Sequence, residues 1–260
     1  PLVGELPLKA KKRPVWKRWR KEKIVAVPNM VVADQKRDIL NEAFRTVRTK
    51  LEFTLGFDGR NKVVMVSSLN PGSGKTFITA NLGAAFSLKG KRVLVMDLDL
   101  RKASLSDYVG QPKVGISNYL SGQINDWHEI ITPLDRVDVL PCGVLPPNPA
   151  ELLSTERFAE MIKAVREEYD IIFLDCPPVE IVADAEIINP HADLTLFIVR
   201  ASLMERSYLK DIERWYAEKK YNNLTLLLNG TTDALGRYGY HKYGYGYGGY
   251  GYGYGYGSRK

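Results

Sequence analysis

The chain has 260 residues, a formal net charge of +7, and is 45% apolar and 26% charged. That is the composition of a soluble domain with one large core or two small ones. No apolar run approaches the ~18–20 residues of a transmembrane helix, no signal peptide is visible, and Cys142 and Cys176 lack metal-ligand spacing and fit a reducing compartment.

The chain starts with Pro1 rather than Met, which reads as a piece of something longer. Residues 1–30 read as a linker. Leu2-Val3-Gly4-Glu5-Leu6-Pro7 is a short extended segment, and a basic run from Lys9 to Lys23 follows it, interleaved with Trp16 and Trp19. Lysine, arginine and tryptophan together suit an anionic membrane surface beside a transmembrane helix. A solvated linker or a nucleic-acid contact is the alternative.

Residues 34–55 read as a helix that Asp38 caps. Ile39, Leu40, Ala43, Phe44, Val47 and Leu51 recur at helical spacing and mark its inner face. Glu42, Arg45 and Arg48 share another face. That face is either a solvated Glu–Arg pair or a subunit contact, since arginine forks suit carboxylates across an interface.

From residue 63 strands and helices alternate. Val63–Val66 is a strand, and Thr76–Leu88 a helix ending at Gly90. Between them lies Ser67-Ser68-Leu69-Asn70-Pro71-Gly72-Ser73-Gly74-Lys75-Thr76. A strand, a Gly-rich turn and a helix make the frame of a phosphate-binding loop. Gly72 and Gly74 let backbone N–H groups turn toward an anion, and the helix N-terminus adds its partial positive charge. Pro71, Gly72, Ser73, Gly74, Lys75, Thr76 and Phe77 form the nucleotide-binding set, with Lys75 for the β- and γ-phosphates and Thr76 for Mg²⁺. Leu69 departs from the full pattern, which has glycine there.

Further strands are Arg92–Met96, Val137–Leu140, Ile171–Leu174, Leu194–Val199 and Leu224–Leu228. Further helices are Thr155–Tyr169 and Met204–Lys219, while 104–135 is mixed. Near-continuous apolar strands between amphipathic helices predict an α/β fold, with a mostly parallel sheet covered by helices on both faces. The organisation predicted is a linker over 1–30, a P-loop domain over 31–236 and a tail over 237–260. Gly-alternating Tyr238, Tyr240, Tyr243, Tyr245, Tyr247, Tyr250, Tyr252, Tyr254 and Tyr256 give that tail little to pack, so disorder is expected.

Ligands of such sheets bind at the carboxyl ends of the strands. Asp97 and Asp99 stand at one such end and Asp175 at another. Thr76 with some of these aspartates suits Mg²⁺, which takes few protein ligands and keeps waters. A remaining aspartate can accept the proton of an attacking hydroxyl. That chemistry is an ATPase or a kinase, and the tail phenols supply candidate acceptors. No His-Arg-Asp or Asp-Phe-Gly motif of the eukaryotic kinases is present.

The motifs together resemble those of the bacterial tyrosine autokinases of capsule and exopolysaccharide export. Pro71–Thr76 is similar to their Walker A, and Val93-Leu94-Val95-Met96-Asp97-Leu98-Asp99-Leu100-Arg101 to their second acidic motif. Ile171-Ile172-Phe173-Leu174-Asp175-Cys176-Pro177-Pro178 is similar to their Walker B. Asn148-Pro149-Ala150-Glu151-Leu152-Leu153 resembles another family signature, and Glu42, Arg45 and Arg48 resemble the Glu-x-x-Arg-x-x-Arg motif of their ring contact.

The resemblance implies a P-loop NTPase fold and an ATP- and Mg²⁺-dependent tyrosine kinase. Lys75, Asp97 and Asp99 would be catalytic, with Asp97 as base. Thr76, Asp97, Asp99 and Asp175 would serve the metal, and Asn229 would contact adenine. It further implies a ring homo-oligomer, by resemblance an octamer, and phosphorylation of the tail cluster in trans. Partners would be a cognate phosphotyrosine phosphatase and the inner-membrane polysaccharide export machinery, at the cytoplasmic face of the membrane, and no nucleic acid. The rivals are a ParA/MinD-like ATPase, whose extra loop lysine is replaced here by Asn70, and a nucleotide-gated scaffold.

Overall fold

The computed structural model describes residues 1–8, 30–33, 38–56, 61–179 and 184–231. The whole basic run from Lys9 to Lys23 and all nine tail tyrosines, Tyr238 to Tyr256, lie outside the described residues. The elements in chain order are β1 (Leu2–Pro7), α1 (Ile39–Leu55), β2 (Lys62–Ser68), α2 (Lys75–Ser87), β3 (Val93–Asp97), α3 (Ile116–Leu120), β4 (Thr132–Leu134) and β5 (Val137–Leu140). There follow α4 (Pro149–Leu153), α5 (Glu156–Glu168), β6 (Ile171–Asp175), α6 (Asp184–Ile188), β7 (Leu194–Arg200), α7 (Leu209–Ala217) and β8 (Thr225–Thr231).

The strands form one sheet in the order β1-β8-β7-β2-β6-β3-β5-β4. Every pair is parallel except β4 with β5. Alternation along each strand divides the core in two, because successive side chains point to opposite faces. Val64, Val66, Val95, Phe173 and Leu196 pack under α1 and α2. Val63, Met65, Met96, Leu174 and Phe197 pack under the helices of the other face, chiefly through Phe158, Met161, Ile162 and Val165 of α5. Helix α2 is buried almost all round because it is wedged between the sheet and α1. Gly83 permits that approach: a β-carbon there would stand 3.1 Å from the Val95 side chain.

Helix α1 begins as its sequence predicts, with Asp38 accepting from the Asn41 backbone N–H at 2.9 Å. Two strands differ from the reading. Leu2–Pro7, read as extended linker, is the parallel edge partner of β8. Thr132–Leu134 was hidden by its brevity and by Pro133, which an edge strand tolerates. Strand β8 also runs on to Thr231, which carries Asn229 into the sheet.

Candidate active site

The register of the central strands decides which side chains meet. Val66 of β2 pairs with Asp175 of β6, and Asp97 of β3 pairs with the same Asp175. The loop leaving β2 therefore starts where two acidic strand ends lie side by side. In that loop Gly72 and Gly74 have φ of +75° and +94°, a region that glycine enters without strain. Leu69 is buried in the core, so the loop turns without glycine at that position. Ser73 ties the turn together, its hydroxyl donating to the Asn70 carbonyl at 2.7 Å.

Lys75 opens α2 and is buried, its ammonium 3.3 Å from the Ser68 hydroxyl. Burial pushes its pKa down, against the opposing pull of Asp175 and Asp99. The Thr76 hydroxyl donates to Asp175 Oδ2 at 2.6 Å, and Thr79 Oγ1 stands 3.4 Å from Oδ1. Asp175 is nonetheless raised to about 6, because full burial outweighs those hydrogen bonds.

Asp97 is the most perturbed acid of the site. Its Oδ2 accepts from the Ser106 backbone N–H at 2.8 Å and the Ser106 hydroxyl at 2.7 Å. Its Oδ1 is buried with no hydrogen-bond partner. Desolvation, with the neighbouring Asp175 adding to it, pushes the carboxyl up to about 8. Asp99 lies at the next turn of the same loop and accepts from the Lys102 backbone N–H at 3.2 Å. Arg101 forms a two-pronged pair with the buried Asp184, both contacts at 3.1 Å.

Lys75, Thr76 and Asp99 border a cavity of about 420 Å³, with Gly72, Gly74, Arg101 and Tyr108 among its other lining residues. Burial raises the Tyr108 phenol to about 12. Thus Lys75, Thr76, Asp97, Asp99 and Asp175 come together as read from the sequence, while Asn229 enters differently. Its amide donates to the Ser73 carbonyl at 2.8 Å and braces the phosphate loop from β8. Sequence reasoning missed Ser106, Tyr108 and Asp184. Only Arg101, inside an acidic motif, pointed toward Asp184.

Among the described residues no group of three or more His, Cys, Asp or Glu side chains is arranged to hold a metal by itself. That fits Mg²⁺, which leans on few protein oxygens and on substrate phosphates. The orphaned Asp97 Oδ1 and the Thr76–Asp175 pair are the oxygens suited to it.

The three residues read as a subunit contact divide. Glu42 and Arg45 pair at 3.1 Å on the surface of α1. Arg48 turns inward, and its guanidinium donates to the Ala85 carbonyl of α2 at 2.8 Å.

Comparison with known proteins identifies the family. A family model described as an AAA domain matches residues 61–203. The tyrosine-protein kinase wzc of Salmonella typhimurium is 34% identical over 239 residues, which cover 87% of this chain and 31% of that protein. The chain thus spans about a third of that relative's length. The tyrosine-protein kinase YwqD of Bacillus subtilis is 32% identical over 216 residues, 82% of this chain and 91% of the relative. Among solved structures, the kinase domain of the Escherichia coli tyrosine kinase ETK superposes with a TM-score of 0.75 at 25% identity, covering 98% of this chain and 95% of that one. The chain belongs to the bacterial tyrosine-protein kinases.

Proposed function

We propose that the chain transfers the γ-phosphoryl group of ATP to tyrosines of its own C-terminal tail, in trans, within a ring of identical subunits. The observation that carries this reading is the meeting of Lys75, Thr76, Asp97, Asp99 and Asp175 at three neighbouring strand ends, where Lys75, Thr76 and Asp99 line one cavity. The backbone N–H groups of Gly72 to Thr76 cradle the phosphates, and Lys75 neutralises charge on the β- and γ-oxygens. Magnesium, when bound, would supply positive charge against the charge that develops on the transferred phosphoryl group. Thr76, Asp97, Asp99 and Asp175 supply the oxygens that would hold it, directly or through water.

The phenol oxygen of a tail tyrosine attacks the γ-phosphorus as the bond to the ADP oxygen breaks. The phenol proton passes to the Asp97 carboxylate. A bound cation would favour the ionised form of Asp97 over the protonated form that a pKa of about 8 gives the metal-free chain, and the ionised carboxylate is the base. Asn229, with its amide nitrogen committed to Ser73, keeps its carbonyl oxygen to accept from the amino group of adenine.

Exposed Glu42 and Arg45 join one subunit to the next, and the ring is an octamer by resemblance to the family. Each phosphotyrosine adds roughly −1.5 to −2 charge, so a fully modified tail repels itself and loosens the ring. A cognate phosphatase resets it, and polysaccharide export at the cytoplasmic face of the inner membrane is what the cycle regulates. No helix among the described residues is long and apolar enough to cross a membrane.

Incubating the purified protein with Mg-ATP and mapping phosphate by mass spectrometry tests the reading. Phosphotyrosine within residues 238–256, lost in Lys75→Met, is the expected result. ATP hydrolysis without phosphotyrosine would favour a partition-type ATPase, and neither activity a scaffold.

A further inference from the structure

The phosphate loop accounts for the triphosphate, and the Asn229 carbonyl offers one acceptor to the edge of a base. Neither supplies a surface for the flat face of that base. The next position in the sheet does. Arg200 ends β7 opposite Asn229 of β8 in the register, and the Ala201 backbone N–H donates to the Asn229 backbone carbonyl at 2.8 Å. The two side chains therefore leave neighbouring strands at the same level, at the carboxyl end of the sheet.

The Arg200 guanidinium has an unusual seat. It lies where Gly230 would carry a β-carbon. That point is 2.6 Å from Cζ, 2.7 Å from one terminal nitrogen and 2.9 Å from Nε. Near-equal distances to the central carbon and two nitrogens mean that Gly230 meets the flat of the group, since an edge-on approach would bring one nitrogen much closer. Gly230 has φ of +78° and no side chain, so it accommodates both the turn and the guanidinium. Arg200 is half-buried, and among the described residues no carboxylate or carbonyl pairs with its side chain.

A guanidinium held flat on one face, with no ion pair, and beside the residue that braces the phosphate loop, is a stacking platform. We propose that the outer face of the Arg200 guanidinium stacks on the purine base of the bound nucleotide, so that Arg200 and Asn229 together form the base subsite. The inference rests on the nucleotide-binding reading above. It adds that affinity for the base, as distinct from the phosphates, resides in a residue outside every phosphate-binding motif. Arg200 is a binding residue here and takes no part in the transfer step.

The test separates base from phosphate. Dissociation constants for Mg-ATP and for Mg-tripolyphosphate are measured by calorimetry on the wild-type chain, Arg200→Ala and Arg200→Lys. The expected result for Arg200→Ala is about tenfold weaker ATP binding, with tripolyphosphate unchanged within about twofold. Arg200→Lys, which keeps the charge and stem but lacks the planar face, should lose about three- to fivefold for ATP alone. It also keeps the test decisive if the alanine variant does not fold. Equal losses for both ligands would assign Arg200 to the phosphates or to the fold and overturn the proposal. No loss for either would overturn it too, as would a wild-type chain that binds ATP no tighter than tripolyphosphate. A wild-type chain that binds neither ligand would sink the nucleotide reading itself, and this subsite with it.

Discussion

The two ends of the central strands use the same residue type in opposite ways. At the amino ends, Asp193 accepts from the Val63 backbone N–H at 2.7 Å and from Arg166 at 2.8 Å, and Asp170 accepts from the Arg92 backbone N–H at 2.7 Å. Arg166 also reaches the carbonyls of Asn61 and His191. Each of these acids has donors and reaches solvent. At the carboxyl ends, Asp97 and Asp175 are buried side by side, raised to about 8 and about 6, and one oxygen of Asp97 has no partner. A sheet end whose acids are satisfied is holding itself together. One whose acids are crowded and short of donors is arranged for a cation or a proton that arrives later.

The largest effect expected from this contrast lies at Asp97. Its pKa in the folded chain, about 8, is above the ordinary 3.8, so between those values the folded state holds a proton that the unfolded chain has released. Stability of the metal-free protein must then fall as pH rises from about 4 to 8. Asparagine at this position keeps an acceptor for Ser106 and removes the buried charge. Asp97→Asn should therefore stabilise the metal-free protein above pH 7 by on the order of several kcal/mol and flatten its pH slope. It should also slow tyrosine phosphorylation by roughly a hundredfold or more, if the carboxyl takes the proton. Thermal melts at pH 5, 7 and 8.5 beside a phosphotransfer assay read both effects. An unchanged slope would remove Asp97 as the origin of the strain.

The same substitution logic reverses at the other end. Asp193→Ala removes the acceptor of a strand N–H and the partner of Arg166. It should cost about 1–3 kcal/mol in a denaturant titration, while phosphorylation per folded molecule stays at the wild-type rate. A stabilised Asp193→Ala would erase the distinction between the ends.

A smaller effect separates the two arginines of α1. Arg45 pairs with Glu42 at the surface, where such a pair contributes about 0.3–0.5 kcal/mol. Arg48 donates to a carbonyl in the last turn of α2, where a cation also complements the helix dipole. Arg48→Ala should lower the stability of a single subunit by about 1 kcal/mol. Arg45→Ala should lower it by no more than about 0.5 kcal/mol, with its larger effect on assembly of the proposed ring. Melting curves of dilute protein and sedimentation of concentrated protein distinguish the two.

What was legible in the sequence follows the same division. Asp97 and Asp175 could be read because each closes an apolar run, and Lys75 because two glycines and a helix frame it. These are local patterns. The pairing of Asp97 with Ser106 was not legible, because an irregular loop brings Ser106 back with no periodicity to announce it. Arg48 was placed on its helical face by spacing, but spacing cannot show that α2 arrives 37 residues later to accept its hydrogen bond. Leu2–Pro7 reads as extended from its own residues, whereas its partner β8 lies more than 200 residues away. Arg200 stands out only when Gly230 is seen beneath it.

The smallest effect returns to the amino ends, at an exposed histidine. His128 stacks on Trp127 with ring centroids 3.8 Å apart, and its two nitrogens stand 2.6 Å from Asp126 and 2.9 Å from Glu168. Glu168 closes α5 just before β6, so the imidazole links two segments of chain. Hydrogen bonds donated by the imidazole to Asp126 and Glu168 raise its pKa above the ordinary 6.5. A raised folded pKa makes the contribution complete below that ordinary value and lost as pH climbs through the folded one. All three groups are solvent-exposed, so screening keeps the gain small, about a degree or two of melting temperature. His128→Gln should remove that gain at pH 6 and change nothing at pH 9. It acts with the opposite partner chemistry to Asp97, through a charge that folding welcomes, and a gain that persisted at pH 9 would mean that ring stacking, not charge, holds this corner.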